Sequence, residues 1–295
     1  MGSESAGGPL ISVVTTVRNE EAHLGRLLES LAHQEGPFEV VLVDAESRDR
    51  TVEIAEEFAR AHPGLLRIFR RPGSRGVGRN VGVWEARGDY VAFIDGDCFA
   101  DSGWLGTLRA AVAPGSVVAG HTVTVGKPKY GQLERVELYL NGVDVTFPSC
   151  NLVYDRALFV RLGGFDPRFI TAEDIDLNLR AVDAGASIRY VPAAVVYHHM
   201  RDNFVRFLYQ AFWNGYGRKQ LTEKHGNQWG RYRVRRLLSG QKNPIAWARL
   251  SAAFAGYVFR VVIGEGRRLS DGRPTAGGDG GARPRVSSPS EARRP

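Results

Sequence analysis

The chain has 295 residues, 43% hydrophobic and 24% charged, enough for one large domain with a substantial core, or a domain plus a small appendage. Its two cysteines, Cys98 and Cys150, show no C-x-x-C spacing, which excludes a disulfide scaffold and a cysteine-rich zinc module. The net charge of +7 is unevenly placed: residues 218–249 hold nine Lys and Arg against one acid, and residues 265–295 hold seven Arg against four acids.

Residues 1–9 are small and polar and form an expected flexible leader. They carry no basic-plus-apolar signal region, so secretion by that route is not expected. Residues 11–17 (ISVVTTV) are a short β-branched run bounded by polar residues, the pattern of a buried strand. A helix follows from Glu20, with Leu24, Leu27, Leu28 and Leu31 at i, i+3, i+4 and i+7. Residues 39–43 are a second strand. Asp49 caps a helix from Thr51 that turns Ile54, Ala55 and Phe58 inward. A third strand at 66–70 leads through a Gly- and Arg-rich loop, 71–78, to a helix through Val81 and Trp84. A fourth strand covers 90–94.

This alternation predicts an α/β fold with a mostly parallel sheet and helices on both faces. Ligands of such sheets bind at the carboxyl ends of the strands. Three polar segments arrive there, at residues 16–20, 44–47 and 95–97. The second half is less regular: a strand at 117–125, a helix at 132–140, a Gly-Gly-Phe-Asp turn at 163–166, a helix at 173–184 and a strand at 188–191. An aromatic helix at 204–213 and an apolar helix at 243–264 follow; in the latter Arg249 and Arg260 fall on nearly one face. Beyond Gly266, Gly, Pro, Ser and Arg dominate and predict disorder.

Asp95-Gly96-Asp97 closes the apolar strand YVAFI at the sheet edge. A turn there can aim both carboxylates at one point. A hard divalent cation held by few carboxylates, with its other positions left to phosphate oxygens and water, suits a nucleotide diphosphate. Alone, D-x-D serves equally well as a helix cap.

Its surroundings resemble the family 2 glycosyltransferases. The resemblance rests on SVVTTVRNEEAHLGRLLESL at 12–31, VDAESRDRTVEIA at 43–55, GRNVGVWEARGDYVAFIDGDC at 78–98, LGGFDPRFITAEDIDLNLRAVDAG at 162–185 and VPAAVVYHH at 191–199. It implies a GT-A fold, a Rossmann-like nucleotide half (10–100) joined to an acceptor half (101–220), with a basic and apolar helical extension at 221–264. It further implies inverting transfer from a UDP- or GDP-sugar to an acceptor hydroxyl, with Mg²⁺ or Mn²⁺.

Carried across residue by residue, the resemblance places Thr16, Val17, Arg18 and Glu20 along the base and ribose, with Arg18 where the family usually has an aromatic. Asp44 matches the acid that accepts from the base, and Ser47 ends the same motif. Arg75 and Arg79 lie in the segment that approaches donor phosphates and sugar. Asp95 and Asp97 match the metal pair, and Gly96 eases backbone approach to the donor. Asn151 matches a loop lining the donor sugar. Glu173-Asp174 matches the E-D motif, in which Asp174 resembles the base that takes the acceptor proton, kept ionised by a helix N-terminus. A histidine after the last strand completes the metal site; the register favours His198 over His199.

A nucleotidyltransferase on a related sheet, or a non-catalytic nucleotide- or nucleic-acid-binding protein, is the alternative. The first strand lacks a Gly-rich, lysine-bearing loop, and no aromatic strand offers to stack bases, so no nucleic-acid partner is expected. No G-x-S-x-G, Walker or H-E-x-x-H motif occurs. The apolar helix, its two arginines on a shared face, suits a position in the membrane interface with the basic belt of residues 218–249 on anionic headgroups, hence a peripheral place on the cytoplasmic membrane face and a lipid-linked or glycan acceptor. An ordinary helix packed on the catalytic domain is the competing reading.

Overall fold

The computed structural model describes residues 8–126, 136–199, 203–232 and 244–264. The strands are β1 (Ile11–Val17), β2 (Phe38–Asp44), β3 (Leu66–Arg70), β4 (Tyr90–Phe93), β5 (Cys98–Ala100), β6 (Val117–Val125), β7 (Tyr139–Leu140), β8 (Val143–Asp144), β9 (Leu152–Asp155) and β10 (Ile188–His199). The helices are α1 (Leu24–Ala32), α2 (Thr51–Ala61), α3 (Arg75–Glu85), α4 (Trp104–Arg109), α5 (Arg156–Arg161), α6 (Glu173–Asp183), α7 (Phe204–His225) and α8 (Pro244–Gly264).

Eight strands form one sheet in the order β3-β2-β1-β4-β9-β6-β10-β5. Pairs β1–β2, β1–β4, β2–β3 and β6–β10 are parallel, while β9 runs antiparallel between β4 and β6, and β5 antiparallel to β10. The mostly parallel α/β sheet expected from the alternation is therefore present. Side chains alternate between its faces. Val13, Val40 and Leu42 pack under the α1 leucines, Phe58 and Trp104, and Val14, Val41 and Phe93 pack with Tyr154, Phe159, Phe165 and Leu177.

Four segments differ from the sequence reading. The Gly- and Arg-rich stretch is helical from Arg75, with the Ser74 hydroxyl accepting from Val77 N. Glycine weakens a helix, but here it lets α3 lie close on β1: a Cβ at Gly82 would fall 2.4 Å from Val14 Cγ1, and one at Gly78 2.8 Å from Thr16 Cγ2. The helix expected at 132–140 is instead a hairpin, β7–β8, where described; residues 132–135 lie outside the described residues. The strand expected at 188–191 continues to His199, with an irregularity of register between Val191 and Val195 that accommodates Pro192. The aromatic helix extends from Trp213 to His225, so the expected boundary at residue 220 falls within α7. The leader through residue 7 and the tail from 265 lie outside the described residues.

Helices α7 and α8 pack with their backbones in near contact. A Cβ at Gly215 would lie 1.7 Å from Ala253 O, and one at Gly256 1.8 Å from Phe212 O. Arg260 is buried in this seam, where Glu223 accepts at 2.9 and 3.1 Å and the Tyr216 hydroxyl accepts at 2.8 Å. Arg260 thus faces protein, so the side of the helix on which it lies is turned inward at this position. A buried guanidinium is stable only when paired, and Glu223 supplies the pair. The outward face carries Trp247, Phe254, Val258 and Val262 instead, all exposed.

Candidate functional site at the carboxyl edge of the sheet

The parallel strands deliver their carboxyl ends to one edge, and β9, running the other way, delivers its amino end there. At the β1 and β2 ends the two loops are laced together. Ser47 Oγ accepts from Asn19 N at 2.9 Å, Asn19 Oδ1 from Arg48 N at 2.8 Å, and Thr51 Oγ1 from Glu20 N at 2.7 Å. Asp44 is buried and accepts from Ser47 N with both oxygens at 3.2 Å. Thr16 Oγ1 is enclosed without a hydrogen-bond partner among the described residues, whereas Arg18 is exposed. Thr16, Val17, Arg18, Glu20, Asp44 and Ser47 therefore assemble in one place, as the sequence suggested.

Gly96 has a different reason from the one expected. A Cβ there would lie 2.9 Å from Val17 Cγ1 and 3.1 Å from Glu20 Cγ. The room it leaves is filled by the β1 end rather than held open for a ligand.

The two aspartates of D-G-D diverge. Asp95 accepts from Arg79 Nη2 at 2.6 Å, and the other arm of the same guanidinium donates to Glu173 Oε1 at 2.9 Å. Arg79 is 2% exposed and Glu173 4%. Burial alone would favour the neutral form of Arg79; the carboxylates of Asp95 and Glu173 outweigh it and keep the guanidinium charged. Arg79 therefore clamps the D-G-D turn to the E-D helix. Arg75, one turn earlier and 59% exposed at its side chain, stands 3.9 Å from Glu173 and faces the cleft. Of the two arginines in this segment, Arg75 lines the cleft and Arg79 is buried in the clamp.

Asp97 faces His198, with Nε2 3.4 Å from Oδ1. Burial disfavours the imidazolium, but the Asp97 hydrogen bond and charge prevail and raise His198 to about 9. His199, on the opposite face of the strand, stacks on His23 at 4.7 Å and meets Arg26 at 3.3 Å. Of the two histidines, His198 is the one beside the carboxylate.

Asp174 lies in the first turn of α6. Its Oδ1 accepts from Ile175 N at 2.8 Å and its Oδ2 from Ser149 N at 3.1 Å. Burial, then the charge of Glu173, push it above the ordinary value, and Arg79 and the two backbone donors only partly oppose them. The helix terminus does not dominate, contrary to expectation. For a base this is the useful direction, since a carboxylate with a raised pKa accepts a proton more readily. If Asp174 is the base, the acidic limb of the transfer pH profile should lie above the ordinary aspartate value of 3.8. Glu173→Gln keeps a group for Arg79 to donate to but removes the negative charge, so it should shift that limb to lower pH. An unmoved limb in the variant would separate the limb from Asp174.

Asn151 departs from its expected place on the donor sugar. It is buried; its Nδ2 donates to His121 O and Ala194 O, both at 3.0 Å, and its Oδ1 accepts from Trp104 Nε1 at 2.9 Å. With all of these groups engaged inside the sheet, it braces β6 and β10. Its neighbours Ser149 and Cys150 line the cleft instead.

That cleft has a volume of about 1150 Å³. Its lining includes Arg75, Asp95, His198, Glu173 and Asp174 and, from α7 and α8, Asn214, Arg218, Arg249 and Tyr257. Sequence patterning missed this third wall, because those residues come from two helices distant in the chain from the D-G-D and E-D motifs. Ser149, which orients Asp174 through its backbone, and Cys98, which lies beside Asp97, were also missed; for Cys98 its place next to the D-G-D turn was an available signal.

The profile of Glycosyl transferase family 2 matches residues 12–165, and that of Glycosyl transferase family group 2 matches residues 130–265. The chain is 30% identical over 227 residues to glycosyltransferase AglE of Haloferax volcanii, covering 72% of this chain and 74% of the relative. It is 31% identical over 233 residues to the pre-mycofactocin glycosyltransferase of Mycobacterium tuberculosis, covering 73% of this chain and about half, 48%, of the relative. Among solved structures, a mannosyltransferase of Pyrobaculum calidifontis in complex with GDP-Man and Mn²⁺ superposes with a TM-score of 0.59 at 18% identity, covering 89% of this chain and 79% of that one. S. aureus TarS in complex with UDP-GlcNAc gives 0.53 at 24% identity, covering 69% and 66%. At these identities the two structures establish a shared fold.

Proposed function

We propose that this chain, which belongs to glycosyl transferase family 2, moves a sugar from a nucleoside-diphosphate donor to an acceptor hydroxyl with inversion, using Asp174 as base. Family membership makes it a glycosyltransferase with the GT-A fold, and the finer statements are argued from the site. The observation that carries them is the cleft itself. At about 1150 Å³ it exceeds the ~300–1,000 Å³ of ordinary small-molecule sites, so it has room for a donor and an acceptor together. Arg75, His198 and Asp174 all line it, together with residues of α7 and α8.

The donor reading is supported by relatives of the same fold that hold GDP-Man or UDP-GlcNAc. The laced loops at Thr16, Asp44 and Ser47 fit the base and ribose, and Arg75 offers a positive charge to the diphosphate. Asp97 and His198 form a carboxylate–imidazole pair that fits a divalent cation such as Mn²⁺ or Mg²⁺, with phosphate oxygens completing its shell. Such an ion, when bound, neutralises charge on the departing diphosphate. A divalent ion held there would need His198 neutral, so its binding should weaken as pH falls. Asp95 serves the same turn indirectly, by anchoring it to Arg79.

Inversion follows from one carboxylate on the acceptor side. Asp174 takes the hydroxyl proton as that oxygen attacks the anomeric carbon from the face opposite the diphosphate. The product's anomeric proton coupling constant, read by NMR against the donor's, should report inverted configuration. Retention would overturn the role given to Asp174.

We place the enzyme peripherally on the cytoplasmic face of a membrane, with an acceptor that is lipid-linked or membrane-proximal. The support is the exposed apolar face of α8, Trp247, Phe254, Val258 and Val262, continued by Val205 and Tyr209 of α7, beside a segment with nine Lys and Arg against one acid. Residues 244–263 are long and apolar enough to cross a bilayer, but Arg260 is committed to Glu223 within the protein. Full-length protein should float with anionic vesicles at low salt, less at high salt. The double variant Trp247→Glu, Val262→Glu should stay in solution while hydrolysing donor normally. Equal flotation of the variant would remove this face from the proposal.

A further inference from the structure

Cys98 follows the D-G-D turn and opens β5. The antiparallel register of β5 and β10 sets it directly opposite His198. Directly opposed residues share a face of the sheet, with Cβ atoms ~4.5–5.5 Å apart. The Cys98 sulfur lies 3.8 Å from Asp97 Oδ1, and sulfur, carboxylate oxygen and imidazole nitrogen all lie within 4.8 Å of one another. Asp95 is not part of this group, since Arg79 holds it. The second thiol, Cys150, lines the cleft together with His198, and its sulfur is 3.7 Å from Thr122 Oγ1.

We propose that Asp97, Cys98 and His198 form a binding site for a thiophilic divalent ion of the Zn²⁺ class, which occupies the place of the oxygen-ligated ion and blocks transfer. Hard ions such as Mg²⁺ and Mn²⁺ draw on carboxylates, water and phosphate and gain little from sulfur. Zn²⁺ takes cysteine sulfur, histidine nitrogen and carboxylate oxygen together in a tetrahedron. The three side chains supply one of each, and His198 also lines the cleft. On binding, the Cys98 thiol loses its proton to solvent as the sulfur–metal bond forms, with no change in oxidation state. Zn²⁺ then draws Asp97 and His198 into its own shell. The proposal rests on the reading of Asp97 and His198 as metal ligands, and adds that this chain's neighbouring cysteine makes their site discriminate between ions.

The test uses the full-length, metal-stripped protein and Co²⁺ as a spectroscopic probe. The wild type should show an intense thiolate-to-cobalt charge-transfer band with the visible bands of a tetrahedral ion, and Zn²⁺ should displace both. Cys98→Ser should lose the charge-transfer band and at least the ~10-fold in Zn²⁺ affinity that loss of even an outer-shell partner costs. Its Mn²⁺ binding, followed by electron paramagnetic resonance, and its Mn²⁺-dependent donor hydrolysis should remain, and Zn²⁺ should inhibit it less. Co²⁺ binding without a thiolate band in the wild type overturns the proposal and leaves the metal reading standing. A band that survives in Cys98→Ser but vanishes in Cys150→Ser overturns the assignment to Cys98. Failure of both Co²⁺ and Mn²⁺ to bind removes the metal reading, and the proposal with it.

Discussion

Asp174→Asn is expected to bind donor and metal as the wild type does while losing transfer by ~10²-fold or more. Asp174 lines the cleft and accepts from the backbone N–H groups of Ser149 and Ile175. Its environment pushes its affinity for a proton upward, as a base requires. The amide can keep only one of those two backbone donors. The other is left unpaired at a cost of roughly 1–3 kcal/mol, which should appear as a lower melting temperature and not in donor affinity. Calorimetric donor titration beside a transfer assay separates the two effects. If donor binding collapses with transfer, Asp174 holds the site together and the base lies elsewhere.

Asp97→Ala is expected to abolish metal-dependent donor binding and transfer with little change in melting temperature, because its side chain lies at the sheet edge and its ion pair among the described residues is with His198. Asp95→Ala should behave differently. It leaves buried Arg79 with one carboxylate in place of two, and breaking a buried ion pair costs about 3–5 kcal/mol. The two variants of one D-G-D turn should therefore separate in a denaturant melt: Asp95→Ala less stable, Asp97→Ala nearly as stable as the parent. Near wild-type turnover in Asp97→Ala would remove the metal assignment, and equal stability of the two variants would remove the clamp role of Arg79.

The first hundred residues were legible because each strand and helix there has its own period and its own boundary. Ile11–Val17 and the four leucines of α1 need no distant partner to be recognised. The first turn of the Arg75–Glu85 helix was not legible. Its glycines read as a loop until β1 is known to lie against them, and only that close approach explains Gly78 and Gly82. The same limit applies to the site. Motif spacing named Asp97, His198 and Asp174, which lie along the cleft wall or beside it. It could not tell that Asp95 turns to Arg79, or that Asn151 turns into the sheet, because both depend on partners far along the chain: Arg79 lies 16 residues from Asp95, and Trp104 47 from Asn151. The arginines of α8 misled for a related reason. Their shared face predicts a side, but for Arg260 Glu223 on a different helix decides that it is the inner one, while Arg249 lines the cleft.

On the proposed reading, this cleft splits a nucleotide sugar with the help of a divalent ion at Asp97 and His198. The most direct measurement is release of nucleoside diphosphate from a panel of UDP- and GDP-sugars, with no acceptor added, in Mn²⁺, in Mg²⁺ and in chelator. The account predicts release from at least one donor with a metal present, none in chelator, and none from Asp97→Ala under the same conditions. Release that persists in chelator, or that Asp97→Ala retains, would contradict it.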